Sequence, residues 1–130
     1  MPDVTEHGQR SASPVSELTI RNALASEYPH VATMNRKLIE DEKHRNPMTV
    51  AELEQRFHAF VDEDGWTVDV FILDDEIVGY ATHRREPDEA EAGGWRLHLR
   101  QFYIAPQGRG RGIGRRAVEL LFENRFEDGE

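Results

Sequence analysis

The chain has 130 residues, enough for one domain, and its formal net charge of −9 argues against general binding to nucleic acid or to an anionic membrane surface. It has no cysteine, which excludes disulfides, thiolate metal sites and any thiol-bound covalent intermediate. No apolar run approaches the roughly 20 residues that span a bilayer, and the N-terminus lacks the hydrophobic core of a signal peptide, so a cytoplasmic protein is expected.

Residues 1–16 hold Ser, Pro, Gly and charges without periodicity and read as a flexible tail ahead of a domain at 17–130. Glu17 to Ala23 is predicted as a short strand. Ser26 is expected to cap a first helix that tolerates Pro29 in its first turn, and Val31, Met34, Leu38 and Ile39 fall on one face of it. The segment Lys43 to Pro47 breaks the pattern. Thr49 and Glu52 have the spacing of a capping box, with Met48 placed to staple against Leu53. The second helix is expected to bury Leu53, Phe57, Phe60 and Val61 and to stop at Asp64-Gly65. Val68, Val70 and Ile72 alternate as a strand, and Asp74-Asp75-Glu76 turns it into the next, Ile77 to His83. Arg84 to Gly94 reads as an acidic loop. An apolar strand, Leu97 to Ala105, runs into a glycine loop. An amphipathic helix, Ile113 to Phe126, leaves it, with Ile113, Ala117, Leu120 and Leu121 as its apolar stripe.

That loop carries the chemistry. From Pro106 to Arg116 it reads Pro-Gln-Gly-Arg-Gly-Arg-Gly-Ile-Gly-Arg-Arg, and the stretch Trp95 to Val118 contains six arginines and no acid. Glycine lets backbone approach a ligand closely, free N–H groups at a helix start attract anions, and arginine adds fork-shaped donors for phosphate oxygens. A basic island on so acidic a chain points to an anion site. The Walker pattern needs Gly-Lys-Ser/Thr, which is absent. The pattern G-x-G-x-x-G fails because its third glycine falls on Ile113 or Arg115. An arginine–glycine RNA-binding tract would be a longer disordered repeat. The pattern that fits is (Arg/Gln)-x-x-Gly-x-(Gly/Ala), satisfied by Arg109, Gly112 and Gly114. A second register, Gln107, Gly110 and Gly112, also matches; the first puts the helix directly after the last glycine.

Together with Phe102-Tyr103-Ile104-Ala105-Pro106 before it, Asp75-Glu76-Ile77-Val78-Gly79-Tyr80-Ala81 as a hairpin and Leu18-Thr19-Ile20-Arg21 as a first strand, this motif resembles the GNAT superfamily of N-acetyltransferases. The resemblance runs from residue 17 to 127. It implies a mixed α/β (α+β) fold, with a mainly antiparallel sheet, flanking helices and the order β-α-α-β-β-β-α. It implies acetyl-CoA as cosubstrate and no metal. Arg109, Gly110, Arg111, Gly112, Ile113, Gly114 and Arg115 would hold the pyrophosphate, and the backbone of Phe102 and Ile104 would pair with the pantetheine arm. The family pattern continues beyond the third helix, whereas Glu127-Asp128-Gly129-Glu130 ends this sequence. A domain incomplete at its C-terminus is therefore expected, with an open apolar edge at Leu97 to Ala105 that favours homo-oligomers or another partner chain.

The resemblance implies acetyl transfer to a primary amine. Without cysteine, direct attack in a ternary complex is the simplest route. The base in this reading is His98, at the strand position where histone acetyltransferases of the superfamily place a glutamate; histidine titrates nearest neutral pH. The competing reading is a strand-edge histidine facing solvent or packing on Trp95. Tyr103 and Tyr80 are candidate acids, against the alternative of aromatics in a sheet core. Arg100 and Gln101 either orient substrate or lie on the surface. Glu40, Asp41 and Glu42, in the connection that overhangs the family's acceptor pocket, either recognise a cationic small amine or form a solvated helix end. The six histidines show no paired ligand spacing, so no metal is expected. The rival function is a non-catalytic coenzyme A-binding or regulatory module.

Overall fold

A computed structural model of the chain describes residues 17–43, 45–91, 93–106, 109 and 112–126. The segment expected as a tail lies outside them, as do Gly110 and Arg111. Four strands, β1 (Thr19–Asn22), β2 (Thr67–Leu73), β3 (Glu76–Pro87) and β4 (Trp95–Ile104), form one antiparallel sheet in the order β1-β2-β3-β4. Helices α1 (Tyr28–Asp41) and α2 (Val50–Asp62) pack on one face, and α3 (Ile113–Leu121) packs on the other. The expected order of elements is the one observed.

Two apolar clusters sandwich the sheet. Val31, Met34 and Ile39 of α1 and Leu53, Phe57 and Phe60 of α2 meet Val68, Val70, Tyr80 and Tyr103. Ile113, Ala117, Leu120 and Leu121 of α3 meet Phe71, Leu73, Val78 and Ile104 on the opposite face. The expected alternation of Val68, Val70 and Ile72 holds for the first face. Phe71 and Leu73 are also buried, because α3 covers the second face. Val61, expected in the core, is 36% exposed at the end of α2.

Local signals account for the helix starts. Thr49 Oγ1 accepts from the Glu52 N–H at 3.1 Å, and Glu52 returns the bond to the Thr49 N–H at 2.8 Å. Ser26 is not the cap of the first helical segment. It sits inside a 3₁₀ turn, Ala25–Glu27, where Glu27 Oε1 accepts from the Leu24 N–H at 2.9 Å. The longer Glu27 side chain reaches back a turn and also takes both arms of the Arg21 fork, at 2.8 and 2.7 Å.

That fork holds the Glu27 carboxyl at about 2, against an ordinary 4.5. A lowered carboxyl stabilises the fold above its unfolded value, and that contribution disappears as pH falls from about 4.5 through about 2. Arg21 is 45% exposed, so solvent screening limits the effect to roughly 0.5–1 kcal/mol. Urea denaturation at pH 6, 4 and 2.5 should show Arg21→Gln less stable than the parent at pH 6, with the difference shrinking at pH 4 and mostly lost by pH 2.5.

The hairpin between β3 and β4 is longer than expected. Arg84 to Pro87, expected as loop, continue β3 and pair with His98, Leu97, Arg96 and Trp95. Cross-strand charge pairs and the Arg85 guanidinium over the Trp95 ring, at 5.3 Å, take the place of apolar contacts there. The register shifts between Thr82 and His83. Gln101 pairs with Thr82 and Leu99 with His83, which makes Arg100 the extra residue of a β-bulge in β4.

Candidate active site

Two stretches of β4 and the start of α3 define the site. Gly112 precedes α3 with φ +79°, a left-handed conformation that favours glycine. The first helical bond runs from the Arg116 N–H to Gly112 O at 3.1 Å, so the N–H groups of Ile113, Gly114 and Arg115 come before the ladder. A Cβ placed on Gly112 or Gly114 meets none of the described residues within 4 Å. The start of α3 is therefore open to a ligand and suits an anionic group such as a pyrophosphate.

Arg109 holds the strand end to the helix layer. Its Nε donates to Ile104 O at 2.8 Å, Nη2 donates to Asp41 Oδ2 at 3.1 Å, and its guanidinium lies 5.2 Å from the centroid of the Tyr103 ring. It thus braces the loop against α1. Arg116 pairs along its own helix with Glu119 and Glu123.

The edge of β4 is also defined. The Ala105 N–H bonds to Val78 O at 2.8 Å. In an antiparallel ladder bonded pairs alternate, so Tyr103 and Gln101 also turn their backbone groups toward β3. Phe102 and Ile104 turn theirs to the outer edge, where the Ile104 carbonyl takes the Arg109 bond.

Upstream of the bulge, His98 lies on the α1/α2 face. Its ring meets the Trp66 ring edge-on at 5.2 Å, and Nδ1 stands 2.6 Å from Glu86 Oε2. The alternative reading of His98 sets it against solvent or Trp95; its ring partner is Trp66, because His98 lies on the α1/α2 face of the sheet. Glu86 also accepts from Arg84 Nε and Arg96 Nη2, each at 3.1 Å. His98 first, then Arg84, hold the Glu86 carboxyl at about 2. An ionised carboxylate only accepts, so Nδ1 carries the proton and Nε2 of the neutral ring is left as the acceptor.

The candidate acids are in the core. Tyr80 is fully buried and Tyr103 is 4% exposed. Burial raises both phenols, which therefore stay protonated. The Tyr80 hydroxyl donates to Gln101 Oε1 at 3.2 Å, and the Thr82 hydroxyl to the same oxygen at 3.3 Å. Of the acids expected to meet a cationic acceptor, Glu40 pairs with Arg36 and Asp41 with Arg109. Glu42 is exposed, and its charge is felt at Tyr80. Among the described residues no group of three His, Asp or Glu could hold a metal ion, and no helix is long and apolar enough to cross a membrane.

The acetyltransferase (GNAT) family model matches residues 20–129. The chain belongs to the GNAT acetyltransferase family. Solved structures agree on the GNAT fold. A predicted acetyltransferase of Clostridium acetobutylicum, solved with acetyl-CoA, superposes with a TM-score of 0.65 at 16% identity, over 86% of this chain and 75% of that one. A ribosomal-protein-alanine N-acetyltransferase of Brucella melitensis biovar Abortus 2308 gives 0.65 at 14% identity, over 86% and 74%. A GNAT acetyltransferase of Staphylococcus aureus gives 0.65 at 18%, over 82% and 76%. No curated protein sequence matches the chain.

Within this GNAT sheet, sequence reading missed Glu86, Trp66 and Arg56. Glu86 was hidden because its charged neighbours read as loop. Trp66 follows a helix-stopping glycine and belongs to no periodic run. Arg56 is one more polar residue on an amphipathic helix until its depth is known.

Proposed function

We propose that this chain transfers an acetyl group from acetyl-CoA to a primary amine by direct attack. The observation that carries the reading is the left-handed Gly112 opening α3 at the end of a strand whose Phe102 and Ile104 backbone groups face outward. The N–H groups of Ile113, Gly114 and Arg115 hold the pyrophosphate, with Arg111 and Gly110 in the same loop, and Arg109 fixes the loop to the strand. Phe102 and Ile104 align the pantetheine arm. Bound acetyl-CoA supplies the thioester. His98 Nε2 takes the proton of the attacking ammonium, and holding the pair in line supplies most of the acceleration, roughly 7–11 kcal/mol for well-oriented reactants. As the new C–N bond forms and the C–S bond breaks, Tyr103, a protonated phenol beside the loop, is the donor offered to the leaving thiolate, and the second proton shed by the new amide nitrogen restores the phenol.

Isothermal titration with acetyl-CoA tests the cofactor site. Gly112→Glu places a side chain at a positive φ and a like charge against the phosphates, and should weaken binding at least about 100-fold. Added salt should weaken parent binding as well. Absence of binding by a folded sample removes the cofactor site. Binding without turnover on any amine identifies a coenzyme A-binding module instead.

A further inference from the structure

Arg56 of α2 and Arg100 of the β4 bulge both pack on Phe60, their guanidinium carbons 5.3 and 4.8 Å from its ring centroid. Arg100 also lies 5.3 Å from the Trp66 centroid, the ring that supports His98. Arg56 donates from Nη2 to Asn35 Oδ1 at 2.9 Å, while its Nε is buried with no hydrogen-bond partner among the described residues. None of the ion pairs among the described residues includes either arginine. Acids outnumber bases in this chain 25 to 16, yet Glu86 pairs with Arg84, Arg96 and His98, Glu40 with Arg36, and Asp41 with Arg109. Burial, and then the neighbouring Arg100 charge, disfavour the charged form of Arg56. Two close cations, one with an orphaned buried donor, are unfavourable unless an anion joins them.

We infer that Arg56 and Arg100 bind an oxyanion carried by the acceptor, so that the acceptor is an amine bearing a carboxylate or phosphate. The inference rests on the acetyl-transfer reading above and names its substrate class. The site differs from the pyrophosphate site. Arg100 precedes Ile104 by four residues, about 13 Å along an extended strand. It follows His98 by two residues on the same face, so an anion held there presents the amine of the same small molecule to the base. Gln101, already oriented by Tyr80 and Thr82, is the adjacent neutral contact. A guanidinium fork suits either oxyanion, and the Phe60 and Trp66 rings flank it.

The test reads binding of products and acceptors and does not depend on turnover. The full chain, with and without saturating coenzyme A, is titrated with the twenty N-acetyl amino acids and their primary amides. Phosphate as the source is tested with O-phosphoethanolamine against ethanolamine. At least one anion should bind about 10- to 100-fold more tightly than its uncharged counterpart, the range of a charge-assisted pair. Arg100→Gln, at an exposed position, should reduce that ratio to within about threefold, and Arg56→Lys should reduce it in part. Parity between anion and neutral form across the panel, or no binding of either, overturns the oxyanion site. So does turnover of free amines with no preference for the anionic member of a pair. Discrimination in binding without turnover on any of these amines leaves the oxyanion site standing and removes acetyl transfer.

Discussion

Replacing His98 by alanine is expected to lower turnover at pH 7 by about 100- to 10,000-fold, the range for losing a positioned general base, while acetyl-CoA affinity changes little. The geometry sets the form of the result. Glu86 holds the Nδ1 proton, which leaves Nε2 to take the proton of the amine, and the parent's rate should rise with pH through the neutral range, as is general for an imidazole base. In the alanine variant that rise should move upward in pH, to where the free amine itself deprotonates. The groups around the ring are Glu86 and Arg84 of β3, Arg96 and Arg100 of β4, and the neutral Trp66. Initial rates from pH 5.5 to 9.5, with acetyl-CoA affinity measured separately, decide it. A variant whose pH–rate profile overlays the parent shows that water or another group takes the proton.

Gly79→Ala should destabilise the fold by about 3 kcal/mol, at the high end for overpacking. A Cβ at Gly79 would stand 2.4 Å from Tyr103 O and 2.8 Å from Ile104 Cδ1. The isoleucine tip can rotate, but the carbonyl is main chain in the ladder opposite. Only a separation of β3 from β4 makes room, and that disturbs the ladder along the strand that carries Phe102, Ile104 and the loop. Urea denaturation measures the change, and acetyl-CoA binding should weaken with it in the fraction that remains folded. A variant within about 0.5 kcal/mol of the parent would mean the two strands part more easily than their packing indicates.

Periodicity and local chemistry made the framework legible. Val31, Met34 and Ile39, and Leu53, Phe57 and Phe60, announced two helices through spacing that only a helix turns into a face. Thr49 and Glu52 announced a start because both partners of the capping box lie within four residues. Gly112 was legible because a helix after a glycine loop has few backbone solutions. What stayed hidden depends on distant partners. The end of β3 is polar and holds as strand only because β4 supplies Arg96 and His98 opposite Glu86 and Arg84. Ser26 was displaced by Glu27 because Arg21, on another element, rewards the longer side chain. The acids at the end of α1 invited a cationic ligand, and no local pattern shows that Arg109, far along the chain, meets one of them.

The bulge at Arg100 divides β4 into two segments of opposite phase. Ahead of it, even-numbered His98 faces the α1/α2 layer; beyond it, odd-numbered Gln101 and Tyr103 do, with Arg100 itself added to the same side. Four functional candidates within six residues thus share a face on which strict alternation allows three. Removing Arg100 would set Leu99 directly beside Gln101, opposite the consecutive His83 and Thr82, so the ladder would run regular and every remaining side chain of β4 would keep its face. This face of the strand can therefore gain or lose a guanidinium without turning the His98 ring or the outer backbone edge of Phe102 and Ile104.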